Sequence, residues 1–117
     1  LDGVTGVQTC ALPISLVGDR DFIGSGSAID FFNRPAVFPE GPAVFSLKTG
    51  AVIMPGFMLR NDDDSFSLII EKPLVYSVTG DAKTDVASVM GSYRKVFEGY
   101  IKKYPDQWYM FRRFWKE

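Results

Sequence analysis

A carboxylate that immediately precedes a predicted helix is the first candidate for ligand chemistry in this sequence. The segment Phe38-Pro39-Glu40-Gly41 places Glu40 beside the backbone N–H groups that a helix leaves unpaired at its start. Such groups attract anions, and a glycine at position 41 permits a ligand to approach the backbone closely. Alternatively, Glu40 only complements the helix dipole. The spacing leaves both roles open.

The triplet Asp19-Arg20-Asp21 is the second candidate, because it follows the apolar residues Leu16-Val17-Gly18. Charged loops at the ends of buried strands are where α/β sheets place ligand groups. Arg20 has the geometry to orient a phosphate or a carboxylate, with Asp19 and Asp21 fixing its side chain. The competing interpretation is a solvated turn with an internal ion pair.

The C-terminal residues 107–116 combine aromatic and basic side chains. Such a segment can lie at a membrane surface, with aromatic rings at the headgroup level and cations on anionic lipid. The predicted membrane-contact residues are Trp108, Arg112, Arg113, Trp115 and Lys116. A terminal helix whose aromatic residues complete the core is the alternative, and the two roles do not exclude each other.

Composition excludes several other chemistries. The chain has 117 residues, enough for one small domain, and its formal net charge of −1 argues against a generic nucleic-acid binder. It contains no histidine, so neither His-based acid–base chemistry nor a His metal site is available within it. The acidic run Asp62-Asp63-Asp64 lacks the glycine and the distal glutamate of a calcium loop, which favours a solvated hairpin turn. We expect no cofactor and no metal site.

The elements that must position these residues alternate between strands and helices, which indicates an α/β fold. Residues 16–18 read as the tail of a buried strand, and residues 28–32 as a strand that Asn33-Arg34-Pro35 breaks. A short helix is predicted over 42–49, ended by Gly50. Residues 51–59 read as a buried central strand with Pro55 at a bulge or at its end, in a hairpin with a strand over 66–70. The helical spacing of apolar residues predicts a long helix over 84–104, capped by Thr84 or Asp85.

The first fifteen residues have a different character. Residues 4–14 resemble, codon by codon, one reading frame of a common short-read sequencing adapter. We therefore expect residues 1–15 to be adapter-derived and exclude them from fold reasoning. The only cysteine, Cys10, lies in this segment, so cysteine usage does not indicate a redox compartment. Residues 16–117 are then expected to form the C-terminal part of a single domain of a longer protein.

Several segments in order resemble the bacterial lipid A biosynthesis acyltransferases, a family within the lysophospholipid acyltransferase superfamily that includes phosphatidylinositol mannoside acyltransferases. They are Leu16 to Asp21, Asp30 to Ala36, Gly41-Pro42-Ala43, Thr49 to Pro55, and Tyr104 to Trp108 with the basic and aromatic residues that follow. Where the family typically has glycine, this chain has Asn33, which also tolerates a positive φ. The resemblance implies a mixed-sheet acyltransferase domain with flanking helices.

The resemblance also implies a reaction: transfer of a fatty acyl group from acyl carrier protein or coenzyme A to a hydroxyl of a glycolipid. It implies a membrane-anchored enzyme on the cytoplasmic face of the bacterial inner membrane. In the family, a His followed five positions later by an acidic residue activates the acceptor hydroxyl, and that motif lies upstream of the matched segments. Because this chain has no His, we expect no catalytic residue within it and no catalysis by it alone.

The Pro39-Glu40-Gly41 segment resembles the superfamily block that contacts the acceptor. Glu40 and Gly41 are therefore the leading substrate-binding candidates, followed by Arg20, Asp19 and Asp21. A glycerophospholipid acyltransferase of the same superfamily is an alternative, although its block would normally continue Gly-Thr-Arg where this chain has Gly41-Pro42-Ala43. A non-catalytic lipid-binding domain is the alternative outside enzymes.

Overall fold

A computed structural model of the protein describes residues 14–21, 24–110 and 113–116. Arg112 and residues 1–13, which hold most of the adapter-like segment, lie outside the described residues. The elements are β1 (Ser27–Phe31), β2 (Arg34–Phe38), α1 (Gly41–Thr49), β3 (Gly56–Arg60), β4 (Phe66–Ile70), α2 (Ala82–Lys103) and a 3-10 turn at Pro105–Gln107. The predicted combination of helices and strands is confirmed. Within the described residues, the strands form two separate two-stranded antiparallel sheets, β1–β2 and β3–β4.

The first sheet corrects the interpretation of Asn33-Arg34-Pro35 as a strand break. Phe31 pairs with Arg34, so Phe32 and Asn33 form a two-residue hairpin loop, and β2 begins at once. Both loop residues have positive φ, 51° and 62°, which is the geometry of the tight turn that matches strand twist. The expectation that Asn33 accepts a positive φ is confirmed. The sequence reads as a break because Pro35 lacks an N–H, yet it occupies a paired position in β2.

Helix α1 begins at Gly41, one residue before the predicted start, and ends as predicted. Pro42 lies in its first turn, where a missing N–H costs no hydrogen bond. Gly50 adopts a left-handed conformation (φ 76°) and its N–H bonds the carbonyl of Ser46 at 2.8 Å. This is the C-terminal cap that the glycine predicts.

The second sheet confirms the predicted hairpin but corrects the extent of its first strand. β3 begins only after Pro55, and Val52 and Met54 are 69% and 51% exposed rather than buried. Residues 51–55 lie beside residues 71–74 with isolated backbone bonds, such as Leu74 N–H to Ile53 carbonyl at 2.9 Å. The acidic run forms the hairpin turn as predicted, with Asp64 at φ 67° and the Arg60 guanidinium 2.8 Å from the Asp64 carboxylate.

Helix α2 supplies one side of the core. It carries the buried residues Val89, Met90 and Tyr93, which pack against β1, β2 and α1. Its cap differs from the prediction: Asp81, not Thr84 or Asp85, is the N-cap residue and accepts the Thr84 N–H at 3.0 Å. Asp81, Thr84 and Asp85 are all residue types that cap helices, so the sequence does not single out Asp81. Asp85 instead accepts hydrogen bonds from Thr79 and Gly80, which hold the chain as it enters the helix.

The residues predicted to end a buried strand are not a strand here. Leu16 and Val17 are 55% and 63% exposed, and residues 14–18 belong to no helix or strand. In the part of the chain that the structure describes, no strand lies beside them to form a ladder. The expectation of burial fails because an apolar run becomes a buried strand only when neighbouring strands cover it.

Candidate functional site

The predicted Asp19-Arg20-Asp21 triplet connects the N-terminal segment to the chain after the 3-10 turn. Asp19 accepts a hydrogen bond from Trp108 Nε1 at 3.2 Å and lies 3.9 Å from Arg20 Nε. Arg20 donates to the backbone carbonyl of Tyr109. Asp21 accepts the N–H groups of Gly24 and Gly26 at 3.1 and 2.8 Å. The internal ion pair of the competing interpretation is therefore present, and anion binding by Arg20 stays a prediction.

Two pockets lie on either side of this triplet. The first, about 280 Å³, is bounded by β3, α2 and residues 16–19. Its walls are mainly apolar, and its aromatic lining consists of Phe31, Phe38, Phe57, Phe97, Tyr100 and Trp108, with Tyr104 at its edge. Phe57 stacks on Tyr100 with ring centroids 3.8 Å apart. Asp19 is the triplet residue that lines this cavity.

The hydroxyl of Tyr100 is satisfied by an acidic partner. It donates to the Glu71 carboxylate at 2.5 Å, and this bond, together with desolvation and the Glu71 charge, raises the pKa of Tyr100 to about 12. A hydroxyl in this state stays protonated at neutral pH. Tyr100 therefore presents its ring to the apolar cavity while its one polar atom is paired.

The second pocket, about 430 Å³, is cationic. Arg20, Arg113 and Lys116 line it together with one carboxylate, Asp21. The rest of its wall comes from Gly24, Gly26, Val37, Met110, Phe114 and Trp115. The sequence separates Arg20 from the basic tail by about ninety residues, so only the fold brings these two predicted groups into one site.

Glu40 lies in neither pocket. It precedes α1, but its side chain does not cap the helix; the carboxylate accepts a hydrogen bond from the Ser27 hydroxyl instead. The Tyr93 hydroxyl donates to the neighbouring Pro39 carbonyl at 2.8 Å. Burial, and secondarily the Glu40 charge, raise the pKa of Tyr93 well above its ordinary value. Strand β1, through Ser27, and helix α2, through Tyr93, thus position this segment. The sequence interpretation missed both, because Ser27 reads as part of a glycine-serine loop and Tyr93 as part of the apolar face of a helix.

Gly41 has open space around it. A Cβ built there meets no atom within 4 Å, so packing inside the chain does not require a glycine at this position. Gly26 is the opposite case, because an added Cβ would lie 2.3 Å from the Phe38 carbonyl oxygen. The glycine at 26 therefore permits the close contact between the loop after Asp21 and the end of β2.

The aromatic tail packs on the core rather than forming the terminal helix of the alternative interpretation. Trp115 pairs with Ala36 in an isolated antiparallel bridge and donates from Nε1 to the Phe31 carbonyl at 2.9 Å. Arg34 lies over the Trp115 ring at 5.6 Å from its centroid. Trp108 contacts Phe31 and Trp115, with centroids 6.0 and 6.3 Å away. Arg113 and Lys116 are exposed, and membrane contact by the tail stays a prediction.

No helix in the described ranges is long and apolar enough to cross a bilayer. The same ranges hold no group of three or more Asp, Glu or Cys side chains placed to bind a metal ion.

Comparison with known proteins defines the class to which this arrangement belongs. The sequence model of the family described as bacterial lipid A biosynthesis acyltransferase matches residues 13–117. The chain therefore belongs to the bacterial lipid A biosynthesis acyltransferase family.

Individual relatives agree with this assignment. The chain is similar to the phosphatidylinositol mannoside acyltransferase of Mycolicibacterium smegmatis, with 29% identity over 103 residues, which are 88% of this chain and 32% of the relative. It is similar to the enzyme of the same name from Mycobacterium tuberculosis, with 27% identity over 87% of this chain and 30% of the relative. The chain thus spans about a third of the length of the relatives that it matches.

Proposed function

We propose that this chain is the C-terminal part of an acyltransferase that moves a fatty acyl group from acyl carrier protein or coenzyme A to a hydroxyl of a glycolipid. The acceptor is of the lipid A precursor or phosphatidylinositol mannoside type, as the names of the family and of the relatives suggest. Catalysis in this proposal depends on a His and an acidic residue outside the chain, because the chain has no His. The chain alone is then inactive in transfer.

One observation carries the proposal: a chain of this family has an apolar cavity next to its charged triplet. The cavity is lined by aromatic and aliphatic side chains, and its polar lining includes Asp19 and the paired hydroxyl of Tyr100. Hydrocarbon is favoured in such a space because it buries apolar surface and leaves no polar group unpaired. We assign the cavity to the acyl chain.

The acceptor side of the proposal rests on Glu40 and Gly41. The carboxylate of Glu40 is half-buried and held by Ser27, which fixes its position before any ligand binds. Gly41 is exposed, and no atom of the described residues lies within 4 Å of a Cβ built there. A sugar hydroxyl can donate to such a carboxylate while its ring lies against the glycine. Arg20, Asp19 and Asp21 are assigned to the same substrate as the resemblance implies, and they line the two pockets described above.

Location at the cytoplasmic face of the inner membrane is part of the same proposal. A glycolipid acceptor is presented at a bilayer surface, so the enzyme must work there. The exposed cations Arg113 and Lys116 suit anionic headgroups, as does Arg112, which lies outside the described residues. Trp108 and Trp115 would reach the surface only at the exposed edges of their half-buried rings.

Two alternatives remain distinct from this function. A glycerophospholipid acyltransferase would use a glycerol-based acceptor in place of a sugar. A non-catalytic lipid-binding domain would use the apolar cavity without any transfer chemistry. Both predict lipid binding, so binding alone does not distinguish them from the proposal.

The deciding experiment is a transfer assay on the complete reading frame recovered from the source DNA. Labelled acyl carrier protein and acyl-coenzyme A serve as donors, with a glycolipid and a glycerol phosphate as competing acceptors. We expect label on the glycolipid and its loss when the His of the upstream motif is replaced by Ala. Label on glycerol phosphate alone would favour the first alternative. No transfer from either donor, with retained fatty-acid binding, would favour the second.

The role of Glu40 is tested in the same assay with Glu40→Gln. Because the amide keeps the shape but loses the charge, we expect a weaker acceptor interaction, a loss of about tenfold in kcat/KM with the donor KM unchanged. Asp62→Asn is the matched control, since it makes the same carboxylate-to-amide change in the exposed hairpin turn and lines neither pocket. An unchanged kcat/KM for Glu40→Gln would remove Glu40 from the acceptor site.

A further inference from the structure

We propose that the cationic pocket formed by Arg20, Arg113 and Lys116 is a binding site for a phosphate group. Among the described residues, the three cations line the pocket with one carboxylate, Asp21, in a chain whose formal net charge is −1. The excess of positive charge is therefore a local property of this pocket and not of the whole surface. The phosphate site itself does not depend on the proposed function; only the identity of the molecule that carries the phosphate rests on that function.

The acidic groups near the pocket are already engaged. Asp21 accepts two backbone N–H bonds from the loop at Gly24 and Gly26. Asp19 lies 3.9 Å from Arg20 Nε and also accepts the indole N–H of Trp108. These carboxylates hold the loop and the arginine in place, as positioning groups around an anion site do.

The shape of the pocket also suits a phosphate that is attached to a larger molecule. Its volume of about 430 Å³ exceeds what a single inorganic anion fills, and Phe114, Trp115 and Met110 provide apolar wall beside the cations. Arginine presents paired N–H donors that match phosphate oxygens, and lysine adds a mobile charge. In a phosphate ester with an apolar or sugar substituent, the phosphate would contact the cations and the substituent would contact the apolar side chains.

The cationic pocket and the apolar cavity are separate, but consecutive residues of the triplet line the two of them. Asp19 lines the cavity, whereas Arg20 and Asp21 line the cationic pocket. A lipid with a hydrocarbon chain and a phosphate headgroup could occupy both at once. A soluble phosphate ester would occupy the cationic pocket alone.

Tryptophan fluorescence of the full 117-residue chain gives a direct test, because Trp115 lines the pocket and Trp108 is bonded to Asp19. The probe is inorganic phosphate, titrated against sodium chloride of equal ionic strength. We expect a saturable change with phosphate that chloride does not produce. The double variant Arg113→Gln, Lys116→Gln should weaken phosphate binding by about tenfold or more.

The matched control is Lys83→Gln, Lys95→Gln, which removes the same charge from exposed positions on α2. It should leave phosphate binding within about twofold of the unchanged chain, because its charges are screened from the pocket. Arg113→Lys, which keeps the charge but loses the paired donors, should weaken binding less than the double variant does, with its fold checked by circular dichroism. Equal weakening in the control pair, an identical response to chloride, or no saturation would overturn the site.

Vesicles distinguish the two sources of the phosphate. Phosphatidylinositol vesicles that compete with inorganic phosphate, while phosphatidylcholine vesicles do not, would assign the pocket to an anionic lipid headgroup. Phosphate binding that phosphatidylinositol vesicles leave unchanged would assign it to a soluble phosphate ester. Neither readout needs acyl transfer, so failure of the phosphate site and failure of the proposed enzyme activity are separate results.

Discussion

Glu40 shows how a single carboxylate is positioned by residues that are distant in sequence. Its side chain accepts from Ser27 on β1, and the carbonyl just before it accepts from Tyr93 on α2. The helix that Glu40 precedes gains no side-chain cap from it. The carboxylate is thus held by Ser27 and not by the first turn of α1. In that turn Pro42 has no N–H, and the Val44 N–H bonds the Glu40 carbonyl at 2.9 Å.

Removing the Tyr93 hydroxyl tests whether it fixes this segment. Tyr93→Phe leaves the Pro39 carbonyl without its partner, so we expect the free energy of unfolding to fall by about 1 kcal/mol. Urea denaturation in dilute solution measures it. Tyr104→Phe, at the half-exposed end of α2, is the control and should change stability by less than about 0.5 kcal/mol. Equal losses in both variants would contradict the role given to Tyr93.

Gly41 offers a test that separates stability from function. Gly41→Ala should stabilise the chain by about 0.4–1 kcal/mol, because the position is helical, lacks a positive φ and has room for a methyl group. In the complete enzyme the same change should raise the KM for the acceptor, since the methyl group covers exposed backbone. A stabilised enzyme with an unchanged acceptor KM would show that no ligand approaches Gly41.

The elements differ in how much of them the sequence predicts. The apolar period of α2 and the glycine after α1 define those helices almost to the residue, because they depend on local chemistry. The β1–β2 hairpin is misread because Asn33-Arg34-Pro35 has the composition of a strand end, and only the pairing of Phe31 with Arg34 reveals the turn. The joining of Arg20 with Lys116 depends on tertiary packing, for which no local pattern exists.

The entry into α2 makes the stability of the chain depend on pH. Asp85 is 4% exposed, and hydrogen bonds from the backbone and hydroxyl of Thr79, followed by Gly80, lower its pKa below the ordinary value of 3.8. In acid the unfolded chain then binds this proton more tightly than the folded chain does. The ionised Asp85 carboxylate therefore stabilises the folded chain fully above the ordinary pKa of 3.8. This stabilisation is lost as pH falls through the lower pKa that Asp85 has in the folded chain.

The measurement is the urea midpoint as a function of pH below about pH 5. We expect the midpoint to fall with decreasing pH, and to fall less steeply in Asp85→Asn, which cannot take up that proton. Asp62→Asn, in the exposed hairpin turn, is the control and should keep the slope of the unchanged chain. An identical slope in Asp85→Asn would assign the acid sensitivity to other carboxylates, such as Asp63 and Asp81, whose pKa values hydrogen bonds to Ser65 and Thr84 also lower.

Exposed apolar side chains occupy the outer face of the β3–β4 sheet. Met58, Phe66, Leu68 and Ile70 alternate with inward residues on β3 and β4 and are 58–65% exposed. Contiguous exposed apolar surface of this kind favours association in water. Leu16 and Val17, which belong to no strand, add further exposed apolar side chains and so favour association as well.

We therefore expect the chain to associate with increasing concentration when it is expressed alone. Leu68→Glu with Ile70→Glu should shift size-exclusion elution toward the monomer, because charge on this face opposes its burial. Ala82→Glu with Ala87→Glu adds the same charge at exposed sites on α2 and should leave the association unchanged. A monomeric elution profile of the unchanged chain at all concentrations, with a cooperative thermal transition, would contradict this expectation.

We propose that this chain belongs to a longer lipid acyltransferase whose catalytic residues lie outside it. Long-read sequencing of the source locus across the junction of Ser15 and Leu16 tests it most directly. We expect an open frame that continues upstream of Leu16 and encodes a His followed five positions later by Asp or Glu, after an apolar anchor. A genomic copy of residues 4–14 preceded by a start codon, with no such His in the frame, would contradict it and favour a lipid-binding protein without transferase activity.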